Sequence, residues 1–276
     1  MPLHANRIPL TFGILGTLEV THGARPCAPT APKPRMLLAS LLIRHGHVVP
    51  TDDLIRTIWG DRPPRTVDRA LQVYVSQLRR LIPHAAILDT LRPGYMLRLG
   101  PDARLDSADF EKHCRQAHEA FADGQLDQAS ALLTQALTLW RAPALADVRT
   151  SPLLESAAWQ LDEARMLAVE QRITIDLQRG EHAHVCVELA ALAAEHPLRE
   201  SFQRHLMLAL YRSGRPAEAL RCYTRFRARL REELGLEPSP SLQQLHLAIL
   251  RREPALEPPR PHPFELTPLH PHRDSR

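Results

Sequence analysis

Residues 66–82, TVDRALQVYVSQLRRLI, have the spacing of an amphipathic helix with two unlike sides. At 100° per residue, the larger apolar side chains fall within an arc of about 120° and predict a core-facing side. These side chains are Val67, Leu71, Tyr74, Val75, Leu78, Leu81 and Ile82. The opposite side holds arginines and short polar groups but no glutamate, whereas a solvated helix usually mixes both signs of charge. This pattern favours a helix seated in a small domain with a cationic side turned outward.

The elements predicted around this helix follow the order of a winged helix-turn-helix domain. Residues 10–28 alternate short β-favouring runs with glycines and predict a small antiparallel sheet. A helical pattern then ends at Gly46, and Thr51 is predicted to cap a second helix that runs to about Trp59. After the amphipathic helix, residues 86–100 predict a β-hairpin. In a domain of this order, the third helix enters the major groove of DNA.

Glycines begin three similar segments in the second half of the chain, at Gly124, Gly180 and Gly214. The last two lie 34 residues apart, which is the tetratricopeptide period. Small and then large apolar residues follow each glycine, as in stacked helix pairs that share a core. The predicted fold class is mainly α with a small β component. Its predicted parts are a winged helix-turn-helix domain at 1–104, tetratricopeptide-like helices at 105–252 and a disordered Pro/His-rich tail at 253–276.

The positive charge of the chain is concentrated in the predicted winged-helix domain. Residues 1–100 contain 13 Lys and Arg against 6 Asp and Glu, and residues 101–252 contain 19 against 21. This asymmetry is typical of a nucleic-acid-binding module joined to a partner-binding one. The four cysteines are dispersed, no signal-peptide pattern is evident, and no run approaches the ~20 apolar residues of a membrane span. A cytoplasmic protein without a membrane partner is predicted.

The cationic side of the amphipathic helix is suited to a DNA groove. Arg and Gln can pair with guanine or adenine edges, and an exposed Val can contact a thymine methyl group. Recognition helices insert their N-terminal part most deeply. The residues expected at bases are Arg69, Gln72, Val73 and Ser76, with Gln77 beside them; those expected at phosphates are Lys33, Arg35, Arg65, Thr66, Arg79 and Arg80; the hairpin adds Arg92 and Tyr95. The alternatives are a cationic helix without a ligand, and a Tyr95 that packs the hairpin onto the domain.

Several stretches of the chain resemble one family. They include ALQVYVSQLRRLI, RPGYMLRL, ALTLWRAPALADV and EHPLRESFQRHLMLALYRSGRPAEALRCYTRFRARLREELGLEPSPSL. Over about residues 10–253 the chain is similar to the Streptomyces antibiotic regulatory protein family. In that family an OmpR-like winged helix is followed by a bacterial transcriptional activation domain.

The resemblance implies an activator of a secondary-metabolite gene cluster that acts at the nucleoid. Such a protein binds direct repeats of double-stranded DNA near the promoter −35 region, with two protomers side by side on half-sites about one helical turn apart. It recruits RNA polymerase, for which the sigma factor and the alpha subunit are the expected contacts. The loop before the recognition helix would face polymerase, which suggests Trp59, Asp61 and Arg62. The alternative for this loop is a connector stiffened by its prolines.

Other kinds of chemistry find little support in the residues. His182 and His184 form an HxH pair, but further metal ligands at suitable spacing are not evident. The sequence has no HExxH, no nucleophile elbow and no GxxxxGK[ST], so neither an enzyme nor a cofactor is predicted. A helical-repeat scaffold that binds only protein is the alternative function. Such a scaffold would have no salt-sensitive affinity for DNA.

Overall fold

The computed structural model describes residues 9–82 and 86–257, which form a mainly helical chain with two small sheets. The strands are β1 (Leu10–Gly13), β2 (Glu19–His22), β3 (Arg25–Pro26), β4 (Val49–Pro50), β5 (Ala86–Leu91), β6 (Gly94–Leu99) and β7 (Ala103–Leu105). The α-helices are α1 (Pro32–Ile43), α2 (Thr51–Trp59), α3 (Val67–Leu81), α4 (Asp106–Ala122), α5 (Leu126–Thr138), α6 (Pro152–Gln178), α7 (His182–Glu195), α8 (Glu200–Arg212), α9 (Pro216–Leu234) and α10 (Pro240–Arg251). The predicted fold class is confirmed.

Two sheets accompany the N-terminal helices. Strands β3, β2 and β1 form the antiparallel sheet predicted for residues 10–28, and β7 pairs in parallel with the free side of β1. Strands β5 and β6 form the predicted hairpin, called the wing below, and β4 pairs with β6. The sequence pattern does not predict the pairing of β7, because Ala103 and its partner Leu10 lie at opposite ends of the domain's sequence.

Helices α1, α2 and α3 enclose the core of the winged-helix fold. Helix α1 packs against both α2 and α3, and Leu37, Leu41, Leu54 and Leu71 are buried. The bounds of α3 agree with the predicted ones to within one residue. Leu81 is wrong as a core residue, since its side chain is 38% exposed. It is the last residue of α3, where no further helical turn covers it.

Thr51 begins α2 but does not cap it, contrary to the prediction. The N-cap position is Pro50, and the Thr51 hydroxyl donates to the Pro93 carbonyl oxygen at 3.1 Å. The Thr51 N–H donates to the same oxygen. Because β4 pairs with β6, the start of α2 lies beside the wing, and Thr51 joins the two.

The glycine-led repeats are helix corners, as predicted. Gly124, Gly180 and Gly214 have φ values of 75°, 85° and 74°, in the left-handed region that favours glycine. A helix begins two residues after each of them. The residues five positions after the glycines are fully buried, namely Ala129, Val185 and Ala219. The repeat in the sequence therefore reflects a repeated packing position.

The chain divides into two compact units, one ending at Arg172 and the other beginning at Ile173. The first contains the winged helix and the α4–α5 hairpin, and the second contains the packed helices α7 to α10. The predicted boundaries at residues 104 and 252 concern sequence modules and stay predictions. Of the predicted tail, Pro254–Leu256 form a short 3₁₀ helix, and residues 258–276 lie outside the described residues.

Candidate nucleic-acid interface

The outer side of α3 presents a continuous polar surface. Leu71, Val75 and Leu78 hold the inner side of the helix in the core. Six exposed side chains on the outer side line one shallow depression, and we call them the α3 face: Arg69, Gln72, Val73, Ser76, Gln77 and Arg80. The structure thus brings together every residue predicted to meet a base, with Arg80 beside them.

The α3 face combines positive charge with groups that can read base edges. Neither Arg69 nor Arg80 takes part in an ion pair within residues 9–82 and 86–257, so both guanidinium groups can bind an anion or a guanine. The Ser76 hydroxyl donates to the Gln72 carbonyl oxygen at 2.9 Å and keeps its own oxygen as an acceptor. Val73 is 48% exposed in the middle of this polar surface.

The loop between α2 and α3 presents the residues predicted at phosphates and at polymerase. Gly60, with φ of 62°, ends α2 and redirects the chain. The polar residues that follow are all exposed, namely Asp61, Arg62, Arg65 and Thr66. The loop therefore offers charge of both signs immediately before α3.

Trp59 is part of an aromatic stack that joins the three helices. Its ring stacks on Tyr74 with 5.8 Å between centroids and 10° between planes. The Lys33 ammonium lies 5.2 Å from the centroid of the same ring, a cation–π contact. Trp59 thus has a packing role in the fold, and its predicted contact with polymerase stays a prediction. Lys33 itself remains exposed.

The wing turns one of its two predicted contact residues outward. Arg92 is exposed at the hairpin turn, whereas Tyr95 is only 9% exposed and packs into the domain. Of the two roles considered for Tyr95, its burial favours packing. A Cβ on the neighbouring Gly94 would lie 1.9 Å from the Val49 carbonyl oxygen, so the close pairing of β4 with β6 requires glycine there.

Arg79 connects α3 to the wing. Its Nε donates to the Leu88 carbonyl oxygen at 2.9 Å, and its Nη2 donates to the Thr90 hydroxyl at 2.8 Å. These bonds use part of the guanidinium and fix its direction. Arg79 therefore positions the wing, and only part of its guanidinium can still bind a phosphate; its predicted phosphate contact stays a prediction.

Arg35 departs furthest from the predicted phosphate contacts. Its guanidinium is paired with Asp147 and also donates to the carbonyl oxygens of Leu18 at 2.6 Å and Pro29 at 2.8 Å. The side chain is 18% exposed. A phosphate would have to replace these bonds, so we leave Arg35 out of the proposed interface. Its role is to hold α1 against the segment that follows α5.

The sequence patterns do not identify Asp106, a buried carboxylate at the start of α4. Asp106 accepts hydrogen bonds from the N–H groups of Ile14 at 2.9 Å and Leu15 at 3.0 Å, and from the Arg141 guanidinium at 3.1 Å. Burial raises the pKa of this carboxyl, while the two N–H bonds and Arg141 act in the opposite direction. The only signal in the sequence is an acidic residue at a helix start, which gives no hint of partners more than 30 residues away.

The described residues provide neither a metal site nor a membrane-spanning helix. Within the described residues, no group of three or more His, Cys, Asp and Glu is arranged to hold a metal ion. His182 of the HxH pair is buried and His184 is exposed. Over the same part of the chain, no helix has both the length and the apolar character needed to cross a membrane.

Comparisons with known families match both halves of the chain. The family described as bacterial transcriptional activator domain matches residues 105–250, and the one described as transcriptional regulatory protein, C terminal, matches residues 27–97. The second match contains the α3 face and most of the wing. The first begins one residue before Asp106.

Individual relatives extend these matches along the chain. Regulatory protein DnrI of Streptomyces peucetius is 37% identical over 258 residues, which cover 90% of this chain and 94% of DnrI. Regulatory protein AfsR of Streptomyces coelicolor is 40% identical over 247 residues, but these cover only 25% of AfsR. The solved structure of Mycobacterium tuberculosis EmbR in complex with a low affinity phosphopeptide superposes with a TM-score of 0.84 at 35% identity, covering 90% of this chain and 66% of that one.

Proposed function

The chain belongs to the Streptomyces antibiotic regulatory protein family of transcriptional regulators, and from this premise we propose that it is a sequence-specific DNA-binding activator of an antibiotic biosynthetic gene cluster. The observation that carries the proposal is the α3 face, whose six exposed side chains line one depression on a helix that is otherwise held in a core. Residues 27–97, which contain the α3 face, match the transcriptional regulatory family, and this match supports the same role. The proposal gives the protein no catalytic step and places it at the nucleoid in the cytoplasm.

In the proposed complex, α3 lies in the major groove. Arg69, Gln72, Val73 and Ser76 are in its N-terminal two thirds and read base edges, for which a good bidentate pair gives about 1–3 kcal/mol of discrimination. Residues outside the groove bind phosphates: Lys33, Arg65, Thr66 and Arg80, with Arg79 at the edge and Arg92 on the wing. All of them are exposed, and none forms an ion pair within the described residues; Arg79 in addition donates hydrogen bonds to the wing.

The finer features of the proposal follow from the family. Two protomers bind side by side to direct repeats near the −35 region, with half-sites about one helical turn apart. Asp61 and Arg62, exposed in the loop before α3, contact RNA polymerase, through its sigma factor or alpha subunit. The presence of both signs of charge in this loop supports a protein contact, because a loop that binds only phosphates would carry cations alone.

Selection of bound sequences from random DNA tests the proposal, using the full chain, Arg69→Ala and Gln72→Ala. We expect loss of preference at particular base positions in each variant, and a salt dependence of the wild-type affinity with a log-log slope of about −5 if ~6 phosphates are bound. The matched control is Gln135→Ala, an exposed glutamine on α5, which should leave the preference unchanged.

Uniform weakening in both variants would reassign the two residues to phosphate contacts. A wild-type chain without salt-sensitive or sequence-dependent binding would contradict the proposal and support the protein-binding scaffold instead.

A further inference from the structure

A groove crosses the second unit between α7 and α9. Helix α8 packs against both of these helices and forms the floor. Two adjoining cavities of about 630 Å³ and about 600 Å³ make up the groove, and they share Ala190, Leu206 and Arg225. The groove is open to solvent along its length and belongs entirely to the second unit, so it is separate from the α3 face.

The floor and the α7 wall of the groove are apolar. Leu206 and Leu210 of α8 lie at its base. Val187 of α7 is 78% exposed beside them and adds its apolar side chain to the same surface. Ala190 and Ala194 follow on the same wall, and their short side chains leave the space open.

The α9 wall carries four arginines, Arg215, Arg221, Arg225 and Arg229, against two glutamates, Glu218 and Glu232, so positive charge is in excess along it. Arg215 is held by two bonds of 2.7 Å to Glu218, and Arg229 lies 3.3 Å from Glu233, so both ends of the wall are paired. Arg221 and Arg225 are exposed, and neither forms an ion pair within the described part of the chain. They are four residues apart on one face of α9, which places them about 6 Å apart along the helix axis.

We propose that this groove binds an acidic peptide segment of a partner protein. Carboxylates of the segment pair with Arg221 and Arg225, and an apolar side chain between them covers Val187 and Leu206. The apolar floor favours a peptide over a polyphosphate, which offers no aliphatic group to such a surface, and over a nucleic acid, whose bases offer only the thymine methyl group. Two free guanidiniums beside an apolar floor are complementary to alternating acidic and apolar residues.

Fluorescence anisotropy of the full chain with a short fluorescein-labelled peptide of repeated Glu-Glu-Leu tests the proposal. The wild-type chain should bind this peptide and not the Lys-Lys-Leu counterpart. The double variant Arg221→Glu/Arg225→Glu should weaken binding by about tenfold or more, because two attractive pairs become repulsive. Ala190→Phe fills the groove without changing the charge and should weaken binding as well.

The matched control is Arg204→Glu, the same charge reversal at an exposed position of α8 that does not line the groove. Unchanged far-ultraviolet circular dichroism shows that each variant is folded, and unchanged DNA affinity separates the groove from the function of α3. Failure of the wild-type chain to bind the acidic peptide overturns the proposal, as does equal weakening by Arg204→Glu.

Two other outcomes would also overturn the acidic-peptide proposal, because each would show that the groove has a different occupant. Competition by single-stranded DNA with the same dependence on Arg221 and Arg225 would make the groove a nucleic-acid site. Tighter peptide binding by a chain that lacks residues 258–276 would show that this segment of the protein occupies the groove.

Discussion

Two groups of arginines in the first unit have opposite environments. Arg35 and Arg141 lie where the N-terminal sheet meets the helical hairpin, and Asp147 and Asp106 bind them. The arginines of the α3 face have no carboxylate partner in the described chain and point into solvent. The comparison shows that the position of carboxylates, and not the abundance of arginine, separates the residues that hold the fold together from those that can bind DNA.

We expect Asp106→Ala to lower the free energy of unfolding most strongly, because Asp106 belongs to the region of Arg35 and Arg141 that holds the fold together. The substitution leaves the N–H groups of Ile14 and Leu15 buried without an acceptor and removes one of the two carboxylates that pair with Arg141, the other being Glu19. We expect the free energy of unfolding to fall by about 3 kcal/mol, measured by urea denaturation. Base preferences of the folded protein should not change. A loss below about 0.5 kcal/mol would show that water replaces the carboxylate and that the two regions differ less than the structure suggests.

Arg35→Ala and Arg80→Ala compare one arginine from each region directly. Removing the Arg35 guanidinium takes away the ion-pair partner of Asp147 and the donor to the Leu18 and Pro29 carbonyl oxygens, so we expect a loss of about 2 kcal/mol in the free energy of unfolding. Arg80→Ala should change stability by less than about 0.5 kcal/mol, because the side chain is exposed and unpaired. It should instead weaken DNA binding at all sequences and reduce the magnitude of the salt slope by about 1. If Arg35→Ala weakened DNA binding and Arg80→Ala lowered the free energy of unfolding instead, Arg80 would hold the fold and Arg35 would bind DNA.

Arg79→Ala concerns a residue between the two groups. The guanidinium connects α3 to the wing through Leu88 and Thr90 and is also exposed next to the α3 face. We expect a loss of about 1 kcal/mol in the free energy of unfolding together with weaker DNA binding. Arg79→Lys is the matched variant, since it keeps the charge but cannot reproduce the two directed bonds. Recovery of stability by lysine would show that charge alone is required.

Mild acidification should destabilise the protein through His246, which belongs to neither group of arginines. Burial, and secondarily Arg227, lowers the pKa of His246, whose ring stacks on Tyr223 at 3.9 Å. The unfolded chain therefore binds a proton at His246 before the folded chain does, and stability falls as the pH drops below about 6.5. His246→Phe retains the stacking and should flatten the fall by a few tenths of a kcal/mol between pH 7 and 5.5, measured by thermal unfolding. An unchanged pH profile would contradict this.

The parts of the fold that the sequence predicts are those with short-range signals. The bounds of α3 follow from its apolar period and the prolines before it, and the corners at Gly124, Gly180 and Gly214 follow from the repeat. The pairing of β7 with β1 and the bonds of Asp106 to Ile14 and Leu15 join residues about 90 positions apart. Nothing in the local sequence marks such pairs, because they form only once the domain is assembled.

The same distinction applies to the candidate site. All four residues predicted at bases lie on the α3 face, since helical periodicity decides which side of a helix is exposed. The periodicity cannot show that Arg35 has Asp147 as a partner, or that Trp59 stacks on Tyr74. In the sequence, an arginine that holds the fold and an arginine free for a phosphate look identical.

The direct passage from β7 into α4 has a mechanical consequence. Leu105 ends the strand and Asp106 begins the helix, so no linker residue separates the sheet of the winged helix from the α4–α5 hairpin. A pull or a torque on the hairpin would reach the N-terminal sheet without being absorbed by flexible chain. Exchanging DNA-binding domains between relatives by cutting between Leu105 and Asp106 would keep β7 with the winged helix but would separate the sheet from the carboxylate that binds the Ile14 and Leu15 N–H groups.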